Sequence, residues 1–213
     1  MLVNVIFLDY ERHEYTQRVK NHNFGNAGYH FDLIQVNLKG ISRAINYGIS
    51  RSKQYDAIVT MANDILMPEN WLLRMVEACL HIPNSGMIGI HTVEGINERK
   101  VINGIPIHIQ DASFGNVMIP LKAIETIGYF NEAYDPYGMQ DSDYAYRLRM
   151  TGHINYYLSD LRAEHIGHDV GQDTPYRKMK DEGLSKCDRI WAEQTKRYED
   201  NNDYTIFQSE YEI

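Results

Sequence analysis

The chain has 213 residues, which fits one domain with a substantial core, or one domain with a small extension. Its formal net charge of −8 weighs against a general binder of nucleic acid or of anionic membranes. Two cysteines give no disulfide framework, the N-terminus lacks the basic segment of a signal peptide, and no apolar run is long enough to span a bilayer. We therefore expect a cytoplasmic protein.

Strands and helices are predicted to alternate along the first half of the chain. Short apolar runs, several of them rich in β-branched residues, predict buried strands over residues 2–8, 31–36, 55–61 and 86–90. Helical patterns lie between them, over residues 11–21, from Gly40 through Ile49, and from Pro68 through Cys79. This alternation predicts an α/β fold with a mostly parallel sheet flanked by helices.

The second half continues this pattern more loosely. Residues 93–109 predict a hairpin around the turn pair Asn103-Gly104, and a strand over residues 117–120 leads into a helix that ends at Gly128. A further strand is predicted over residues 154–158. An amphipathic helix is predicted near residues 186–198, followed by an acidic tail that is either flexible or docked.

Polar side chains follow three of the predicted strands. Asp9, Asn37 and the pair Asn63-Asp64 all fall at carboxyl ends of strands. In open α/β sheets, ligands bind beyond these ends. The sequence therefore predicts a nucleotide-type site at this edge.

A second acidic cluster lies further along, where Asp141 and Asp143 are two positions apart. Carboxylates this close repel each other, so a metal ion, a cationic partner or a substrate proton is expected beside them. His165 and His168 follow the last predicted strand, between glycine-containing turns.

The order of these segments resembles family 2 glycosyltransferases of the GT-A fold. The resemblance is carried by residues 40–49, 57–68, 128–132 and 140–144, and it covers roughly residues 2 to 170. It implies a glycosyltransferase domain over residues 1–170 and a small helical, acidic extension over residues 171–213.

The resemblance implies a metal site at the end of the third strand. Asp64 occupies the family's last acidic position, Asn63 fills the middle one, and Ala62 replaces the first. Mn²⁺ or Mg²⁺ held there would bridge the donor diphosphate. His165 would complete the metal shell, with His168 as the second candidate. The alternative is a plain Asn-Asp turn after a strand.

The resemblance also makes Asp141 the general base that takes the proton of an acceptor hydroxyl, with inversion at the sugar carbon. Gln140 stands where the family normally has Glu, and its amide could bond acceptor hydroxyls. Asp143 is expected to cap the following helix or to pair with a neighbouring cation.

The nucleotide is expected near the end of the first strand. The resemblance places the base and ribose beside Asp9, Tyr10 and Arg12, with Tyr10 stacking on a pyrimidine. The family usually has another strand and helix before Gly40, a unit that this chain is expected to lack, and Asn37 is the candidate substitute in base recognition. Asn46 either faces the donor or braces a loop.

Three functions remain open at this point. The leading one is a metal-dependent transferase that uses a nucleotide-sugar, with UDP as the expected nucleotide and a glycan, protein or small molecule as acceptor. A nucleotidyltransferase would need a Gly-rich basic loop after the first strand, and residues 9–12 do not supply one. A non-catalytic domain that only binds sugar or nucleotide is favoured by Ala62 and Gln140. Acceptor specificity is expected from residues 93–113 and from the chain after Gly171.

Overall fold

The computed structural model describes residues 1–10, 13–92, 98–113, 115–167 and 173–208. The described strands are β1 (Val3–Leu8), β2 (Asp32–Val36), β3 (Ala57–Ala62), β4 (Ile65–Leu66), β5 (Ser85–His91), β6 (Arg99–Ile102), β7 (Ile105–Ile109), β8 (Asn116–Pro120), β9 (Ile154–Arg162) and β10 (Glu164–His165). The α-helices are α1 (His13–Gly25), α2 (Ile41–Ser50), α3 (Trp71–His81), α4 (Leu121–Ile127), α5 (Gln140–Met150) and α6 (Pro175–Asn201), and a 3₁₀ turn covers Glu132–Tyr134.

Eight of these strands form one sheet in the order β2-β1-β3-β8-β5-β9-β7-β6. Strand β1 is parallel to both β2 and β3, and β5 is parallel to β9. Among the described strands of this sheet, β7 and β8 are antiparallel to the other six. The predicted fold class, an α/β sheet of mostly parallel strands between helices, is confirmed.

The central strands of the sheet are buried on both faces, which explains their mostly apolar runs. On one face, Phe7 of β1 packs in a core with Trp71 of α3. On the other face, Ile6 packs with Ile45 of α2 and Tyr144 of α5. A strand covered by helices on both sides is apolar at most positions and therefore lacks the alternation of a half-exposed strand.

The N-terminus of α2 is capped by a residue from a distant segment. Asp135 accepts hydrogen bonds from the backbone N–H groups of Ser42, at 2.8 Å, and Arg43, at 3.1 Å. Gly40 precedes the helix with a φ of 101°, and a Cβ there would lie 2.7 Å from the Asp135 carboxylate. Glycine is therefore required, because it permits both the positive φ and the approach of Asp135.

The last helix is longer than the sequence pattern predicts. It begins at Pro175, after Thr174, whose hydroxyl accepts a hydrogen bond from the Arg177 N–H at 3.1 Å. The tail after it is docked where it is described. Ile206 bonds the backbone of Ile127 and Tyr129 at 2.9 and 2.7 Å. Among the described helices, none combines the length and the apolar character that crossing a bilayer requires.

Candidate active site

Two residues far apart in the sequence, Asp64 and His165, meet at the end of β3. Strands β4 and β10 pair antiparallel, with His165 opposite Ile65, and the Ile166 N–H donates to the Asp64 carbonyl at 2.9 Å. This pairing places His165 Nε2 3.1 Å from Asp64 Oδ2. The predicted neighbourhood of carboxylate and imidazole is therefore present.

The chemistry of this pair fits a divalent cation that shares its shell with a substrate. Carboxylate and imidazole are both ordinary metal ligands, and Mg²⁺ or Mn²⁺ commonly takes one or two protein ligands together with phosphate oxygens and water. In the described part of the chain, no group of three His, Cys, Asp or Glu side chains surrounds a single point. His168, the second predicted histidine ligand, lies outside the described residues.

Asp9 and Asn63 also meet, at the ends of β1 and β3. The Asn63 amide donates to Asp9 Oδ1 at 3.2 Å, and Gln35 donates to Asp9 Oδ2 at 2.5 Å. Thr16 and His13 of α1 bond the same carboxylate. Burial raises the pKa of Asp9, and the hydrogen bonds from these four side chains lower it. The hydrogen bonds together have the larger effect, so the pKa of Asp9 lies below its ordinary value. Asp9 is thus held as a carboxylate at the edge of the predicted nucleotide site.

A cavity of about 80 Å³ lies over these strand ends. Three of the predicted site residues, Tyr10, Asn63 and Asp64, line it together. The rest of the lining comes from Leu8, Val36, Leu38, Gly40, Ile41, Ala44, Ala62, Pro136, Tyr137, Tyr176 and Met179. One cavity is therefore lined by two residues predicted for the nucleotide, Tyr10 and Asn63, and by one predicted for the metal, Asp64.

Two other predicted nucleotide contacts, Asn37 and Arg12, stay predictions. Asn37 is exposed directly after β2, at the edge where the Asp9 N–H bonds the Val36 carbonyl at 2.8 Å. Arg12 lies outside the described residues. Whether either residue contacts the nucleotide stays a prediction.

Asn46 is fully buried, and its amide bonds the segment after α4. Its nitrogen donates to the Phe130 carbonyl at 3.0 Å and to Glu132 at 2.8 Å, and its oxygen accepts from the Phe130 N–H at 2.8 Å. These contacts favour the loop-bracing role over contact with a donor.

Asp141 lies in the first turn of α5 and is half-buried. Its Oδ1 accepts a hydrogen bond from the Ser142 N–H at 2.8 Å, which orients the carboxylate. The segment before α5 contributes Pro136 and Tyr137 to the cavity that Asp64 lines, so Asp141 follows the cavity wall by four residues.

The two acidic-cluster neighbours of Asp141, Gln140 and Asp143, make structural contacts within the protein. Gln140 is fully buried, accepts from the Gly138 N–H at 2.9 Å and donates to the Tyr134 carbonyl at 3.2 Å. These bonds close the preceding loop, so they do not support the suggested contact with acceptor hydroxyls. Asp143 pairs with Arg147 at 2.8 Å, which is one of the two roles expected for it.

Sequence reasoning missed the part that α6 plays at the cavity. Tyr176 and Met179, from its first two turns, complete the lining. The Thr174-Pro175 pair, a cap followed by proline in the first turn, is the signal that could have located this helix start. A separate cavity of about 490 Å³ lies beside β10 and is bordered by His22, Leu66, Met67, Pro68, Thr92, Arg162, Ala163, Glu164 and His165.

No protein-family model matches this sequence, and no curated protein matches it. Solved structures do match. The catalytic domain of Drosophila β1,4-galactosyltransferase 7, in complex with xylobiose, is 16% identical with a TM-score of 0.58, over 83% of this chain and 78% of that one. A mutant of that enzyme has been solved with manganese, UDP-Gal and xylobiose.

Two further structures have the same fold. GalNAc-T7, solved with UDP, GalNAc and Mn²⁺, is 10% identical with a TM-score of 0.61, over 80% of this chain and 45% of that one. TarS of S. aureus is 13% identical with a TM-score of 0.55, over 76% of this chain and 36% of that one. Likenesses at this level of identity show the fold, and the chain therefore has a glycosyltransferase fold of the GT-A type.

Proposed function

We propose that this protein is a metal-dependent glycosyltransferase that moves a sugar from a UDP-sugar donor to an acceptor hydroxyl. The observation that carries the proposal is the 3.1 Å contact between Asp64 and His165, which are 101 residues apart in the sequence. The GT-A fold supports it, since structures with this fold have been solved with Mn²⁺ together with UDP and GalNAc, or with UDP-Gal.

On the donor side, Asp64 and His165 would hold the cation, Mn²⁺ or Mg²⁺. When bound, the cation neutralises charge on the diphosphate leaving group. Tyr10 lines the adjoining cavity and would stack on the base. Asn63 lines the same cavity and donates a hydrogen bond to Asp9, which would lie behind it at the nucleotide site. Arg12, Asn37 and His168 complete the set of residues proposed around the nucleotide and the metal.

On the acceptor side, Asp141 would act as the general base. Its carboxylate is oriented by the Ser142 N–H and takes the proton of the acceptor hydroxyl as that oxygen attacks the sugar carbon. The diphosphate leaves from the opposite face, so the sugar carbon is inverted. A glycan, a protein side chain or a small molecule would each provide such a hydroxyl.

A domain that binds a nucleotide-sugar without turnover is the second candidate. It is favoured by the Asn63 amide, which donates to Asp9 and Thr16 and so is committed to the fold. Gln140 also favours the non-catalytic domain, because it is buried and uncharged where the resembling family has an acidic residue.

Thermal unfolding with UDP and with UDP-sugars, each with and without Mn²⁺, tests donor binding. A ligand at 100 times its Kd stabilises the folded state by about 2.7 kcal/mol, a shift that is easily measured. We expect Mn²⁺-dependent stabilisation in the wild type and none in Asp64→Asn or His165→Ala. The matched controls are Asp32→Asn and His81→Ala, which should keep the stabilisation. Asp32 begins β2, at the end of that strand away from the cavity, and His81 is exposed at the end of α3.

Release of UDP from a UDP-sugar separates the two candidate functions. Mn²⁺-dependent release supports the transferase, and binding without release supports the non-catalytic domain. Absence of both stabilisation and release with every donor would overturn the proposal.

A further inference from the structure

We propose that the protein has a second binding site, at the end of the sheet opposite to the candidate active site, and that this site takes a neutral sugar. It is a cavity of about 680 Å³ bordered by residues 109–111, by residues 153–155 and by Arg149. We call it the distal cavity. The inference goes beyond the proposed function, since none of these residues is assigned there to the donor, the metal or the general base.

The distal cavity is far from the proposed metal ligands. It lies at the start of β9, where the Gln110 N–H donates to the Asn155 carbonyl at 3.2 Å. His165 follows the other end of this strand. Strand β9 has nine residues, and at about 3.3 Å per residue its two ends are about 26 Å apart. A ligand in the distal cavity is therefore separate from the groups that would react.

The size and lining of the distal cavity suit a small polar molecule. Its volume of about 680 Å³ lies within the range of about 300–1,000 Å³ that is common for small-molecule sites. Ile109, which is 38% exposed, and Ile154 supply apolar surface, and the other lining side chains are polar or charged. A sugar matches both kinds of surface, because its ring has C–H groups as well as hydroxyl groups.

The charged pair of the distal cavity is held in place by a buried amide. The Asp111 carboxylate accepts from the Arg149 guanidinium through one oxygen and from the Asn155 amide, at 3.1 Å, through the other. Asn155 is 2% exposed, donates to the Ala145 carbonyl at 2.9 Å and accepts from the Met87 N–H at 2.9 Å. The amide thus fixes the carboxylate, and the carboxylate orients the guanidinium.

This pair keeps hydrogen-bonding capacity for a ligand. A carboxylate oxygen has a second lone pair, and a guanidinium carries several N–H donors in one plane. Arg149 is 48% exposed and Asp111 is 35% exposed. Both groups can therefore bond hydroxyl groups of a molecule in the cavity while they stay paired with each other.

The balance of charge favours a neutral ligand. Arg149 and Asp111 compensate each other, and burial lowers the pKa of His153, so its imidazole is uncharged at neutral pH. Asp111 would repel an anion in this cavity, and Arg149 would repel a metal cation. A neutral molecule with many hydroxyl groups meets neither penalty.

Gln110 adds an independent indication that a ligand is missing. Its Oε1 atom is buried and has no hydrogen-bond partner in the described part of the chain. A buried acceptor without a donor costs free energy. Because Gln110 borders the cavity, rotation of its amide would bring this oxygen to a ligand hydroxyl, which would supply the donor.

NMR titration of ¹⁵N-labelled protein tests the site directly. The probes are glucose, galactose, mannose and N-acetylglucosamine. We expect at least one of them to shift the side-chain amide signals of Gln110 and Asn155 and the Nε–H signal of Arg149. If none of these sugars shifts these signals, the proposal is wrong.

A variant of the charged pair tests which residues bind. We expect Arg149→Met to weaken sugar binding at least about tenfold, since it removes the charged donors. Arg189→Met is the matched control, because Arg189 is 76% exposed and pairs with Glu193 on α6, away from the cavity. Thermal unfolding checks that both variants are folded. Equal sugar affinity in the two variants would overturn the role of Arg149.

A second variant tests the charge argument. In Asp111→Asn the amide oxygen can still accept from Asn155, but Arg149 loses its counter-ion. We expect this variant to bind inorganic phosphate at least about tenfold more tightly than the wild type does. Displacement of the sugar from the wild type by inorganic phosphate would show an anion site and would overturn the proposal of a neutral ligand.

The distal cavity and the proposed function can fail separately. UDP with Mn²⁺ should leave the side-chain signals of Gln110 and Asn155 unchanged, and Asp64→Asn should bind the sugar as the wild type does. Sugar binding in a protein that does not bind UDP would support the distal cavity and count against the proposed function. Binding of UDP without any sugar shift would do the reverse.

Discussion

The carboxylate of Asp143 and the guanidinium of Arg147 form an ion pair one helical turn apart, and neither side chain is exposed to solvent. Arg147 also donates to the backbone carbonyls of Ile127, at 3.1 Å, and Tyr129, at 2.8 Å. The pair therefore joins α5 to the end of α4. A buried charge needs its partner, because desolvation of an unpaired ion is costly.

We expect Asp143→Asn to lower the free energy of unfolding by about 3–5 kcal/mol, because the Arg147 charge would stay buried without its counter-ion. Denaturant unfolding measures this. Asp200→Asn is the matched control, since it removes an exposed pair with Lys196 at the same helical spacing and should cost less than about 1 kcal/mol. Similar losses in the two variants would contradict the structural role of the Asp143 pair.

The cap of α2 gives a second expectation for stability. Asp135→Ala leaves the Ser42 and Arg43 N–H groups without their acceptor, so we expect a loss of about 1–2 kcal/mol in denaturant unfolding. Asp135→Asn keeps one acceptor oxygen and should lose less. A loss in Asp135→Ala below about 0.5 kcal/mol would show that water replaces the cap.

For catalysis, we expect Asp141→Asn to bind UDP with Mn²⁺ as the wild type does and to release UDP from a UDP-sugar at least 100-fold more slowly. The amide oxygen can still accept the Ser142 N–H, so the local structure is kept while the base is lost. Titration and turnover are measured on the same preparation. Wild-type turnover in this variant would exclude Asp141 as the base.

His91 should make stability depend on pH. Burial, and then the charge of His108, lower the pKa of His91 below its ordinary value. The unfolded chain therefore takes up a proton before the folded protein does. The contribution of neutral His91 to the free energy of unfolding is therefore complete above about pH 6.5. It is lost as the pH falls from that value toward the pKa of His91 in the folded protein.

We expect His91→Phe to flatten this dependence between pH 7 and pH 5. Phenylalanine keeps a ring against Tyr157, whose ring centre lies 3.8 Å from that of His91. Thermal unfolding across this pH range measures the effect. The same slope in wild type and variant would show that other groups control it.

Much of the fold is readable from the sequence because strong local patterns specify it. The strands β1, β3 and β5 are buried on both faces and appear as mostly apolar runs, each with one or two buried polar residues. The start of α6 is less readable, since residues 175–185 are polar on most sides and show no apolar stripe. Only the Thr174 cap and Pro175 mark the true helix start.

The candidate site is readable only in part, for a different reason. Asp64, Asp141 and His165 were predicted through an order of motifs that resembles a known family. The contacts that fix Asp9, from Thr16 and Gln35, depend on how α1 and β2 pack beside β1. No local sequence pattern specifies these long-range contacts of Asp9. Nor does one specify that Tyr176 lines the cavity. The strands β4 and β10 are two residues long, too short to show any periodicity.

The short pairing of β4 with β10 determines when Asp64 and His165, the two proposed metal ligands, first come together during synthesis. Asp64 leaves the ribosome about a hundred residues before His165, and the two meet only when β10 adds to β4. In small zinc-stabilised domains, by contrast, the metal drives the folding of a short local segment. If Asp64 and His165 hold the cation as proposed, the cation would lack one of its two protein ligands while only the N-terminal half has been synthesised. Metal retention would instead report that the chain has been completed through β10 and folded.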